Sequence, residues 1–181
     1  MKRANLIIII LFTSIVCNAQ KYYTRSGVTE FKASEKAFEP VEAINNSTTA
    51  IFNINKGEVV AQVFIASFEF KNALMQEHFN ENYMESTSYP KAVFKGKIDN
   101  FSKDRLKTVS EFDLVGILTV RGKEKKISTK VLVKEIHKKL IITSNFMVKP
   151  EYFYIKIPSI VQEKIANQIQ ISIKYELVEK K

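Results

Sequence analysis

The chain has 181 residues, 45% of them apolar, a formal net charge of +9 and a single cysteine. Such a length and apolar share support one domain with a sizeable core. The charge invites nucleic acid as a partner, but the export signal at the N-terminus makes that a poor match and none is expected.

Lys2 and Arg3 precede an apolar run from Leu6 to Val16, and Cys17-Asn18-Ala19 puts small residues at the −3 and −1 positions before Gln20. The run is about half of the ~20 residues a spanning helix needs, so no transmembrane anchor is expected. A lipoprotein site at Cys17 fits less well, because Val16 and Ser14 stand where a small residue and a leucine belong. Residues 1–19 are read as a removed signal peptide and residues 20–181 as one exported domain, periplasmic or secreted. Losing Lys2 and Arg3 takes the formal charge from +9 to +7. Losing Cys17 leaves no thiol and no disulfide, so the domain must stand on its hydrophobic core. The remaining lysines read mainly as solvated strand faces and turn tips. Their secondary use is peripheral contact with an anionic membrane, at ~1 kcal/mol per basic residue near the surface.

Along the mature chain the dominant signal is period-two alternation. A first strand spans Tyr22 to Phe38. Ala50–Ile54 and Val59–Phe70 form a hairpin about Asn55-Lys56-Gly57, and Phe68 and Phe70 end its second strand. Leu74–Met84 reads as a short amphipathic helix, with Leu74, Met75, His78 and Phe79 on one arc. A break at Ser86–Pro90 opens the strand through Phe94, Gly96 and Ile98. Phe112, Leu114, Gly116, Leu118 and Val120 alternate through the next, and Arg121-Gly122-Lys123 marks a turn. Ile127, Thr129, Val131 and Val133 follow. Ser159-Ile160-Val161-Gln162 reads as a capping box opening a helical turn. The last strand alternates Ile169, Ile171, Ile173, Tyr175 and Leu177 with polar residues.

Many strands joined by tight turns, with no helix long enough for a parallel crossover, predict an antiparallel all-β domain. Val59–Phe70 is apolar on both faces, which suits a barrel with partial outer cover better than a sandwich with one wet face. Gly96 and Gly116, mid-strand, mark a bulge, a bend or the close approach of something bulky. About eight strands give an interior that is either filled by side chains or holds one small ligand, and periodicity does not choose between these.

The F-x-F at Phe68, the M-x-x-H-F at Met75, Asn82-Tyr83-Met84 and the Y-P-x-x-x-F-x-G from Tyr89 resemble the signature region of the YceI-like polyisoprenoid-binding proteins, which are bacterial secreted lipocalin-like barrels. Val115 to Gly122, with Lys125-Lys126-Ile127 after it, is similar to the family's G-x-L-T-x-x-G strand and turn. Phe146-Met147-Val148 through Tyr152 to Ile155-Lys156-Ile157-Pro158 is similar to its F-x-V…Y-x-I-x-I-P segment. Glu151 stands where the family has Asp, and Tyr22–Phe38 matches loosely. The resemblance implies a single antiparallel lipocalin-like barrel of about eight strands with one or two short helices. It also implies a hollow lumen that sequesters an isoprenoid or fatty-acid-like chain, with no cofactor and no chemistry done to the ligand.

On that reading the ligand-lining candidates are Phe64, Phe68, Phe70, Leu74, Met75, Phe79, Phe94, Leu114, Leu118, Phe146, Ile155 and Ile157. Alternation does not say which of them touch ligand rather than simply fill a core. His78 is a further candidate, as a donor to a ligand head group or a pH sensor. The plainer reading, which is preferred, makes it a buried histidine bonded to backbone. Pairing it with Glu81 one turn on is not enough for a metal site, and none is expected. Neither a nucleophile elbow, nor a phosphate-cradling glycine loop, nor a histidine placed to activate a serine is found, so the chain does not read as an enzyme. The competing class is a non-lipid interaction or stress-response protein, with a filled barrel and a protein partner. The sequence does not fix oligomeric state and leaves a homodimer open.

Overall fold

Alternating strands of this length bury one face each, and the cheapest way to hide both sheet edges is to close the sheet. A computed structural model, which describes residues 20–34 and 40–180, shows that closure. The signal-peptide expectation, and the end of the first strand toward Phe38, lie outside the described residues. The strands are β1 (Lys21–Ser34), β2 (Glu42–Asn53), β3 (Glu58–Phe64), β4 (Glu69–Phe70), β5 (Lys91–Ile98), β6 (Ser110–Val120), β7 (Lys123–Ile136), β8 (Lys139–Val148) and β9 (Ile165–Glu179). All pairings are antiparallel, in the order β1-β9-β8-β7-β6-β5-β3-β2, and β1 returns to pair with β2. The result is a closed barrel of eight strands, with two-residue β4 added beside β2.

The hairpin strand expected to run from Val59 to Phe70 is interrupted. β3 stops at Phe64, and Ile65–Ser67 form a 3-10 turn before β4. Asn45, fully buried on β2, donates its side-chain amide to the Phe64 carbonyl (3.2 Å) and so replaces a ladder bond where the strand breaks. The partial outer cover expected for this hairpin is also missing. Val60 and Phe64 point outward and are 41% and 44% exposed, with the Lys91 ammonium 5.0 Å over the Phe64 ring.

The two ends of the barrel differ. At one end the segment between β5 and β6 folds inward through a 3-10 turn, Lys103–Lys107, capped by the Ser102 side chain. Leu106 is 2% exposed, and Phe101 packs between Phe52 (5.1 Å between ring centroids) and Phe112 (5.5 Å). Tyr22, Leu140 and Leu177 complete a filled core there. The other end is covered by α1 (Ala73–His78), its π-helical continuation Phe79–Tyr83, a 3-10 turn Pro150–Phe153 and α2 (Ser159–Gln162). The expected capping box at Ser159 is not formed. Pro158 occupies the N-cap position and no side chain caps the turn.

β7 and β8 are in register only from Leu132 with Thr143 to Ile136 with Lys139. Toward the covered end the ladder gives way to side chains: Ser144 Oγ donates to the Lys130 carbonyl (2.6 Å) and Thr129 bonds the Asn145 carbonyl (3.3 Å). Phe153, from the following turn, is buried in one cluster with Ile127 and Val148 beside this opening.

Gly96 and Gly116 face each other across β5 and β6, and the bulky group they admit is Phe94. A Cβ on Gly116 would stand 2.5 Å from the Phe94 ring, 2.5 Å from the Lys95 carbonyl and 2.6 Å from Gly96 Cα. The ring tip therefore occupies the space that side chains on this pair would take. Gly116→Ala is expected to cost roughly 1–3 kcal/mol, the range for overpacking a tight interior. Phe94→Ala in the same background should recover only part, since the carbonyl clash remains. Urea unfolding of the two single variants and the double variant measures this coupling; purely additive losses would contradict it.

Candidate functional site

Inward positions of the strands change character along the barrel. On β6 they run from Phe112 and Leu114 through Gly116 to Leu118 and Val120; on β9 they run from Leu177 and Tyr175 to Ile169. Near the filled end these side chains meet. Toward the covered end they enclose a cavity of about 490 Å³. That falls within the ~300–1,000 Å³ range of small-molecule sites.

Of the thirteen candidates from the sequence, Phe68, Phe70, Met75, His78, Phe79, Phe94, Leu114, Leu118, Phe146, Ile155 and Ile157 line this cavity. Phe64 and Leu74 do not. Phe64 falls on the outward phase of β3, opposite to Val59, Ala61 and Val63, which line the wall. Leu74 is 58% exposed in the first turn of α1, about 100° round the helix from Met75. His78 is exposed at the rim, so the expected buried, backbone-bonded histidine is not what the fold contains. It ends the regular turns of α1, about 60° round the helix from Met75 and at the edge of the inward arc. After it the helix widens: Met84 N–H reaches back five residues to the Phe79 carbonyl (2.9 Å), which brings Met84 onto the buried side with Phe79.

The helical cover is held by aromatic packing. Phe79 stacks on Phe31 (5.2 Å between centroids) and meets Phe68 (5.8 Å) and Phe70 (5.0 Å), while Phe31 meets both Phe68 (5.4 Å) and Phe70 (5.6 Å). Such offset and edge contacts contribute roughly 0.5–1.5 kcal/mol each beyond area. Asn72 caps α1 through Leu74 and Met75 N–H, and Gln76 accepts from Phe70 N–H (3.1 Å), tying the helix to β4. On the opposite side Arg121, in the β6–β7 turn, pairs with Glu85 and donates to the Tyr154 carbonyl (3.0 Å), linking the helix end to the Pro150–Phe153 turn.

The deep wall carries a polar group that sequence reading missed. The Tyr175 hydroxyl lies 3.1 Å from Thr29 Oγ1, Thr29 lies 2.8 Å from Thr48 Oγ1, and Thr48 donates to Asn45 Oδ1 at 3.5 Å. Tyr175, Thr29 and Thr48 all line the cavity. Gly27 makes room for the ring: a Cβ there would stand 2.6 Å from Tyr175 Cδ1. These residues come from three strands, and the one local signal for them is Gly27 inside β1, which was not singled out. Phe31, Ile65, Met84, Ile142 and Phe153 line the cavity too and were not singled out.

The sequence matches the YceI-like domain over residues 22–177. This chain belongs to the YceI-like family. A polyisoprenoid binding domain from Saccharophagus degradans, implicated in plant cell wall breakdown, is 11% identical with a TM-score of 0.75, covering 90% of this chain and 99% of its own. BcnA of Burkholderia cenocepacia is 17% identical with a TM-score of 0.69, over 83% of this chain and 96% of its own. A Campylobacter jejuni YceI protein is 18% identical with a TM-score of 0.64, over 80% and 87%. At these identities the YceI-like barrel is what the structures share. Comparison with curated protein sequences gives no match.

Burial pushes the Tyr175 phenol from 10.0 up to about 12, against a smaller opposite pull from Thr29. Burial, with Glu179 and Glu135, raises Tyr22 as well. A raised folded-state value keeps the full contribution to stability below the unfolded value near 10 and loses it as pH climbs toward 12. Stability is therefore expected to fall steeply between pH 10 and 12. Tyr175→Phe should flatten most of that slope, leaving the share of Tyr22. Chemical denaturation across this window checks it; an unchanged slope in the variant would contradict the assignment.

Proposed function

We propose that this YceI-like protein holds the hydrocarbon chain of an isoprenoid, or of a similar long-chain amphiphile, in the hollow half of its barrel, and that it acts as a carrier after export to the periplasm or beyond. The observation that carries this reading is the apolar cavity of about 490 Å³ beneath a helical cover. Family membership and the polyisoprenoid binding of the Saccharophagus degradans domain support it. Each methylene moved from water into such a lining yields about 0.8 kcal/mol. A bilayer offers the same gain, so selectivity must come from cavity shape and from the few polar groups on the wall.

The polar groups on the deep wall, Tyr175, Thr29, Thr48 and Ser144, are hydroxyls already engaged within the protein, which suits holding a ligand rather than transforming it, and the reading needs no cofactor. Ile160 and Tyr154, 86% and 70% exposed, stand at the covered end, with the Lys123 ammonium 5.1 Å over the Tyr154 ring. An apolar tip flanked by lysines suits loading at an anionic membrane surface. The competing reading, a filled barrel that works only through a protein partner, requires side chains where the cavity is.

Two variants separate capacity from access, read by transfer of a fluorescent isoprenoid analogue to vesicles. Leu118→Trp should reduce the amount bound with little loss of melting temperature, because the cavity absorbs the added volume. Phe79→Ala should speed release more than it lowers melting temperature, because it removes the ring that clasps the cover. An unfolded Leu118 variant whose residual folded fraction binds normally would point to a packed interior. An unchanged release rate in the Phe79 variant would remove α1 from the gate.

A further inference from the structure

Resting on the carrier reading, the polar chain on the deep wall goes further, to the chemistry of the ligand's inner end. The three hydroxyl protons have one assignment that satisfies all of them. Neither the Tyr175–Thr29 pair nor the Thr29–Thr48 pair fixes its own donor. Thr48, however, spends its one proton on Asn45 Oδ1 (3.5 Å), an amide oxygen that can only accept. Thr29 must therefore donate to Thr48, and Tyr175 to Thr29 Oγ1. Asn45 Oδ1 is held in place by Ser47 N–H (2.8 Å) and the Ser47 hydroxyl (3.1 Å), while its amide nitrogen is spent on the Phe64 carbonyl. The direction of the whole chain is thereby set, from Tyr175 outward to Asn45.

The consequence falls on the Tyr175 oxygen. Its proton is committed away from the cavity, and its lone pairs remain available to whatever fills the deep end. Ser144 behaves alike. Its proton goes to the Lys130 carbonyl, and it is an inward neighbour of Tyr175 across β8 and β9, two residues along from Ile142, the cross-strand partner of Tyr175. Both residues line the cavity, at 4% and 5% exposure. The deep wall therefore offers acceptors and no free proton. A carboxylate or phosphate, whose atoms all accept, finds no partner there and would lose its hydration. A neutral hydroxyl or amide N–H finds two acceptors.

We infer that the deep end is a subsite for a neutral hydrogen-bond donor, so that the ligand binds with a hydroxyl or amide end inward, against Tyr175 and Ser144, and its chain toward the helical cover. An anionic head would instead stay at the rim, where Lys164 and His78 line the opening.

The test compares farnesol, its methyl ether and farnesyl phosphate by calorimetry on the folded mature protein, in wild type, Tyr175→Phe, Thr29→Val and Lys164→Gln. One neutral hydrogen bond corresponds to roughly a two- to tenfold preference for the alcohol over the ether in wild type. Tyr175→Phe should reduce that preference and leave ether affinity unchanged, the ether serving as the measure of an intact cavity. Thr29→Val frees the Tyr175 proton to turn inward, so the ether, which can accept, should gain on the alcohol. Equal binding of alcohol and ether in wild type, or a preference that survives both deep-wall variants, overturns the inward donor. So does a phosphate that binds tighter than the alcohol and weakens in Lys164→Gln. If ether and alcohol bind and only the preference is absent, the carrier reading stands and the subsite falls. If none of the three binds, the carrier reading falls with it.

Discussion

Everything in this molecule depends on β1 pairing with β2 on one side and β9 on the other. That closure removes the sheet edges and fixes an interior whose width is set by eight strands. Within it, filled or hollow is decided level by level by side-chain size. Phe52, Phe112, Leu140 and Leu177 meet at one end, helped by Phe101 and Leu106 folding in from the β5–β6 connection. One level on, Gly96 and Gly116 contribute no side chains, the Phe94 ring tip takes that space against the wall, and the centre opens.

An opening of that kind is costly unless something covers it, since apolar wall exposed to water gives back the gain of burial. The cover comes from short segments with little stability of their own. α1 has six residues and α2 has four, too few to be stable in isolation. They persist because the Phe31, Phe68, Phe70 and Phe79 rings clasp one side and Arg121 joins Glu85 to the Tyr154 carbonyl on the other. The filled end supplies the stability that lets the covered end be marginal, and a marginal cover is what ligand exchange needs.

Much of the barrel was legible because its strands alternate cleanly. Ile169 to Leu177 face inward in the phase the sequence shows, and so do Phe112 to Val120 and Ile127 to Val133. The unread parts depend on contacts distant in sequence. Nothing around Phe64 announces that β3 ends there, because the terminating bond comes from Asn45, and the residues after it stay apolar. Helical periodicity drew the inward arc wide enough to take in Leu74 and His78, on either side of the Met75–Phe79 line, and missed Met84, which only the π turn at Phe79–Tyr83 brings to the buried side. Tyr175, Thr29, Thr48 and Asn45 form one polar chain from three strands, with Tyr175 and Thr29 146 positions apart in sequence. No local pattern marks such a set.

The central claim is that the covered half of the barrel is built to hold a hydrocarbon chain rather than to be filled by its own side chains. Organic extraction of the purified, folded protein, followed by mass spectrometry of the extract, tests it most directly. The account predicts a long-chain amphiphile recovered in near-stoichiometric amount, and its loss from a Leu118→Trp variant that remains folded. A clean extract from protein that also refuses added isoprenoid would contradict it.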